Sequence, residues 1–228
     1  MLTIHANKNR GSATYGWLNA RYSFSFASWH DPRYMGISSL RVINEDIVRP
    51  LTGFSRHSHD NMEILTYILA GEISHEDSMG NKTTIRAGEC QLMSAGSGIS
   101  HSEMNKHPTQ ALHLLQIWLY PNQNNTEPRY QQIMLPTDDG LTLIAAPKEQ
   151  AGSMHIKQDA AVYRVKMNAG QQHALPIARK NGYLHIINGQ TIINEMLLTT
   201  GDALISQNEN TLTITAVSDS EALWFDLP

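Results

Sequence analysis

The stretch "EILTYILAGEISHEDSMGNKTTIRAGECQLMSAGSGISHSEMN" (residues 63–105) decides the fold class. It opens on a continuous apolar run of strand length, breaks at Gly71, and resumes as the alternating segment "EISHED". Gly80-Asn81 marks a hairpin tip. "TTIR", a turn at Gly88, "ECQLM" and a bend containing Gly96 and Gly98 follow. Short β-type runs punctuated by turn residues, with no long 3.6-residue periodicity, predict an all-β fold.

The same texture extends in both directions. "SLRVINEDIV" reads as two strands around a turn at Asn44-Glu45-Asp46, and "ALHLLQIWLY" as one strand. Residues 121–140 are polar and contain three prolines, which predicts an irregular connection with at most short helices near 126–134. Strand-like runs then return, and Asn188-Gly189 between "YLHII" and "QTIIN" reads as a hairpin turn. The halves rhyme: "GNKTTIRAGECQLMSAG" and "NEMLLTTGDALISQNEN" share a Thr-rich approach followed by Gly and an acidic residue. Two β-barrel or jelly-roll domains are therefore expected, at 1–125 and 146–228, joined by 126–145.

Composition narrows the function classes. The chain has 228 residues, 41% hydrophobic and 17% charged, with a formal net charge of -4. It has no dense Lys/Arg block, so no direct nucleic-acid partner is expected. No run reaches the roughly 20 apolar residues of a membrane helix. The single cysteine, Cys90, permits no intramolecular disulfide and reads as a small buried residue. The start carries no apolar signal-peptide core, and a cytoplasmic location is expected.

Histidine placement carries the chemistry. In an extended segment, i and i+2 side chains share a face about 6.6–6.8 Å apart. His57 and His59 can therefore address one ion, and His101 and Glu103 repeat that spacing beyond the Gly96/Gly98 bend. Parity also puts Glu63 on the face of His57 and His59, so spacing leaves both glutamates open as the carboxylate donor. His75 reads as solvent-facing in its acidic strand, and His113 as a core histidine. His155, His173 and His185 stand singly, so no metal is expected in the C-terminal domain.

Gly53, His57, His59 and Glu63 resemble the first cupin motif, and Gly88, Gly96, Gly98, His101 and Asn105 the second. Within the cupins, "YGWLNARYSFSFASWHDPRYMGISSLRVINED", "HSHDNMEILTYILAGEISHEDSMGN", "MSAGSGISHSEMN" and "LHLLQIWLYP" resemble the bacterial pirin-like quercetin 2,3-dioxygenases. "EALWFDLP" is similar to the closing strand of that group. The resemblance implies a bicupin. It implies metal ligands at His57, His59, His101 and Glu103, which moves Glu63 to a supporting place. It favours Fe(II), while Ni, Cu, Co, Mn and Zn also suit such donors. It further implies O2-dependent cleavage of a flavonol such as quercetin, with Glu103 as the proton acceptor. Pirins also include iron-binding, non-enzymatic regulators that act as redox or metal sensors, which would require a protein partner.

Overall fold

The computed structural model describes residues 1–228. The chain is built from strands; its only helical element is a 3-10 turn at Asn7–Asn9. No helix is long and apolar enough to cross a membrane.

Two units are present. One comprises Gly11–Leu135 with Ile156–Gln158; the other comprises Met1–Arg10, Pro136–His155 and Asp159–Pro228. In the first, a seven-stranded sheet runs in the order Arg129–Met134, Glu89–Ser94, Glu63–Ala70, Leu112–Leu119, Leu40–Val48, Leu18–Tyr22, Gly11–Thr14. A four-stranded sheet runs Thr52–His59, Ile99–Asn105, Glu72–Asp77, Lys82–Arg86. Every pairing in both sheets is antiparallel. A shared core of Leu18, Tyr22, Val48, Ile68, Ile73, Ile85, Leu112 and Leu114 draws on both sheets, as face-to-face packing requires.

The second unit repeats the layout. Seven strands run Leu2–His5, Ala203–Gln207, Asn181–Asn188, Ser220–Leu227, Ala161–Met167, Gly140–Ala146, Met154–His155. Four run Gln172–Ala174, Thr213–Ala216, Gln190–Ile193, Met196–Thr199. Val165, Leu184, Ile186, Ile193, Leu198, Leu204, Ile214 and Trp224 fill its core. The fold is the all-β, two-cupin architecture expected from the sequence.

Several local expectations are corrected. The units do not divide at 125 and 146. Leu2–His5 pairs with Ala203–Gln207 and so belongs to the second unit. Arg129–Met134 is no helix but an edge strand on Glu89–Ser94, which carries the first unit through Leu135. Asn44-Glu45-Asp46 forms no turn. It lies inside the continuous strand Leu40–Val48, paired on both sides, where tertiary pairing overrides the turn preference of these residues. Asn188-Gly189 makes no hairpin either. The strands flanking Gly189 lie in different sheets, and this glycine, at φ 84°, turns the chain from one to the other. Gly71, at φ 79°, does the same in the first unit, after Glu63–Ala70. The expected Gly80-Asn81 hairpin is present, joining the paired strands Glu72–Asp77 and Lys82–Arg86.

Candidate metal centre

The four-stranded sheet of the first unit assembles the site. Ile99–Asn105 is central, with Thr52–His59 on one side and Glu72–Asp77 on the other. Its burial alternates strictly, so Ile99, His101, Glu103 and Asn105 point inward. His101 stands directly across from His57. Two residues further on, Glu103 faces Phe54, because a bulge gives Thr52–His59 one extra residue in this interval.

The bulge coincides with an orienting contact. His57 Nδ1 lies 2.7 Å from the Ser55 carbonyl oxygen. A carbonyl only accepts, so Nδ1 carries the proton and the Nε2 lone pair is left for another partner. The three imidazole centroids are 4.5 Å (57–101), 4.8 Å (57–59) and 5.1 Å (59–101) apart. One ligand atom from each ring lies within 4.8 Å of the others.

Whether these residues suit a metal is decided at His101. Its ring is fully buried, and neither nitrogen has a hydrogen-bond partner. Buried polar atoms are rarely left unmet. Burial first, then the neighbouring His57 and His59, push its pKa down to about 3; burial and His57 hold His59 at about 4. Both rings are therefore neutral near pH 7, the state that binds a cation through a nitrogen lone pair. The donor set fits a divalent transition ion.

Glu103 is buried. Gln91 Nε2 donates to its Oε1 at 2.8 Å, and Gln116 Nε2 to its Oε2 at 2.9 Å. Desolvation raises its pKa to about 7 despite these two hydrogen bonds. The structure does not gather all four expected residues into one tight group. His57, His59 and His101 form one; Glu103 shares a second with His101 and His75.

His75 is thus misplaced by the sequence reading. It is fully buried, not solvent-facing, because Ile73, His75 and Asp77 form the inward set of their strand. The apolar Ile73 two residues earlier was the available signal; the acidic neighbours hid it. Glu63, the rival carboxylate, belongs to neither group. Ser94 Oγ donates to its Oε2 at 2.8 Å and the Lys157 N–H at 3.1 Å. The parity argument fails because the strand ends at His59. Asn61, at φ 46°, redirects the chain before Glu63 begins a strand of the other sheet.

A cavity of about 370 Å³ opens onto the histidines, with Trp17, Phe54, His57, His59, Gln116 and Trp118 in its wall. Trp118 packs edge-on against His59 at 5.0 Å. Its Nε1 donates to Gln116 Oε1 at 3.2 Å, which links the aromatic wall to Glu103 through one amide. Neither Gln91 nor Gln116 was singled out from sequence, since a glutamine inside an apolar strand carries no motif.

Comparison with known proteins gives the family. The Pirin family model matches residues 4–119, and the model for the quercetinase C-terminal cupin domain matches 143–227. A protein of Escherichia coli K12 named quercetin 2,3-dioxygenase is 43% identical over 229 residues, covering 100% of this chain and 99% of that one. The crystal structure of YhhW from Escherichia coli superposes with a TM-score of 0.98 at 43% identity, covering 100% of this chain and 98% of that one. A second YhhW structure, in complex with nickel(II), gives 0.97 at 42% identity, covering 100% and 99%. On its fold, its family-model matches and these whole-length relatives, the chain belongs to the pirin family.

Proposed function

We propose that the protein is a metal-dependent dioxygenase that cleaves a flavonol such as quercetin with O2. The observation that carries this reading is the convergence of His57, His59 and His101 at the wall of an aromatic-lined cavity. Relatives named quercetin 2,3-dioxygenase support the substrate class.

His57, His59 and His101 would hold the ion, with Glu103 as the fourth ligand. Fe(II) is the proposed metal; the nickel(II) complex of YhhW supports the binding of a divalent ion. When bound, the ion supplies Lewis acidity toward a substrate hydroxyl and a redox-capable centre for O2. Trp17, Phe54 and Trp118 bind and orient a flat aromatic substrate and exclude water. Ser55 fixes the His57 tautomer. Glu103, buried beside the histidines, is assigned to accept the substrate's hydroxyl proton. Gln91 and Gln116 hold its two oxygens in place meanwhile.

The test is stoichiometry. Metal-loaded protein given quercetin under O2 should consume one O2 and release one carbon monoxide per quercetin, and chelated protein none. Quercetin left intact by fully loaded protein would overturn the proposal.

A further inference from the structure

The proposed function leaves a buried group unused. His75 and Asp77 are both almost or fully inaccessible, and His75 Nε2 lies 3.1 Å from Asp77 Oδ2. Asp77 is itself fixed: its Oδ1 accepts from the N–H groups of Met79 (2.9 Å) and Asn81 (3.0 Å), and its Oδ2 from Asn81 Nδ2 (2.8 Å). The carboxylate can only accept, so it orients the ring with Nε2–H toward itself. His75 Nδ1 is left buried and without a partner. A histidine held by a carboxylate on one nitrogen, with a bare lone pair on the other, is how proteins prepare a metal ligand.

The His75 ring has company. Ligand atoms of His75, His101 and Glu103 lie within 4.8 Å of one another. Strand register produces this directly: on the side of Ile99–Asn105 away from His57, Glu103 stands opposite His75 and His101 opposite Asp77. All three donors are at most 1% exposed. Tyr130 packs on the His75 ring at 4.9 Å.

We propose that His75, His101 and Glu103 form a second, interior binding position for a divalent transition metal ion, sharing His101 with the outer histidine trio. One ion occupies one position or the other, because His101 serves both. None of the interior donors except His101 belongs to the outer trio, and none lines the aromatic cavity, whose wall takes in His57 and His59. An ion held inside is therefore withdrawn from substrate, and the interior position is a resting place for the metal. The inference shares with the proposed function the reading of His101 and Glu103 as ligands, and adds His75.

The test is cobalt(II) binding, read by ligand-field absorption and by cobalt per chain, on protein purified without affinity nickel. Three proteins are compared: wild type, the double variant His57→Ala/His59→Ala, and the same with His75→Gln added. Gln can still donate to Asp77 but offers no imidazole. The double variant should keep one cobalt per chain with an altered spectrum, and the triple variant none. A folded double variant that binds no cobalt, or a triple variant that binds as the double does, overturns the interior position and leaves the dioxygenase reading standing. Failure of wild type to bind cobalt overturns both. Should the triple variant not fold, anomalous diffraction from cobalt-soaked crystals of the double variant decides. A peak among His75, His101 and Glu103 supports the position, and none there overturns it.

Discussion

At the scale of single residues, the site is a balance of buried groups whose charged forms are disfavoured. His59 and His101 have folded pKa values of about 4 and 3, below the ordinary 6.5. Their contribution to stability is present above pH 6.5 and is lost as pH falls toward those values. Glu103 has the opposite sign: raised to about 7, it contributes stability below its ordinary 4.5 that is lost as pH rises through 7. Between pH 4.5 and 6.5 two histidines oppose one carboxylate. The melting temperature of metal-free protein should therefore rise across that window, and rise more steeply in Glu103→Gln. Glu103 also offers a test of metal binding. If it ligates, uptake at pH 6 should release more protons from wild type than from Glu103→Gln, by up to about one per ion, as measured calorimetrically in buffers of different ionisation enthalpy. Part of this was legible: i, i+2 spacing singles out His57, His59 and His101, which do converge, and the family resemblance singles out Glu103 over Glu63. His75 was not, because acidic neighbours outweighed its parity with Ile73. Gln91 and Gln116 were not, because only pairing across strands brings them to Glu103.

At the scale of elements, the site depends on how closely Thr52–His59 lies on Ile99–Asn105. Gly53 makes that contact possible. A Cβ there would run into the Glu103 backbone oxygen and come 2.7 Å from Met104 Cα. Gly53→Ala should cost on the order of 1–3 kcal/mol, as overpacking does, measured by denaturant unfolding. It should also weaken metal binding, since it pushes the strand of His57 and His59 away from His101. A full-strength metal site in this variant would show that the strand contact does not set the geometry. Strands such as Leu112–Leu119 and the Gly80-Asn81 hairpin could be read locally because periodicity and turn chemistry are local. The Gly189 corner could not. A glycine at positive φ serves a hairpin and a sheet-to-sheet corner equally, and only the partner strands distinguish them. The bulge between His101 and Glu103 is likewise a property of two strands more than forty residues apart.

At the scale of the molecule, the chain carries the same seven-plus-four strand layout twice, and the histidine cluster sits in the unit built on Gly11–Leu135. Two β domains could be anticipated from the repeated texture. Their boundaries could not, because Leu2–His5 finds its partner about two hundred residues later. An ion that binds only the folded state stabilises it by mass action, by about 2.7 kcal/mol at a free concentration of 100 Kd. Metal should therefore raise the melting temperature of wild type, a chelator should reverse the rise, and His101→Ala should show neither. The central claim is that His101, buried and unsatisfied in both ring nitrogens, completes a catalytic metal centre. Its most direct test is to reconstitute wild type and His101→Ala anaerobically with Fe(II), add quercetin, admit O2, and follow loss of quercetin absorbance. Rapid loss in wild type with a fall of at least 100-fold in the variant is the expected result; equal consumption by the two proteins would contradict the account.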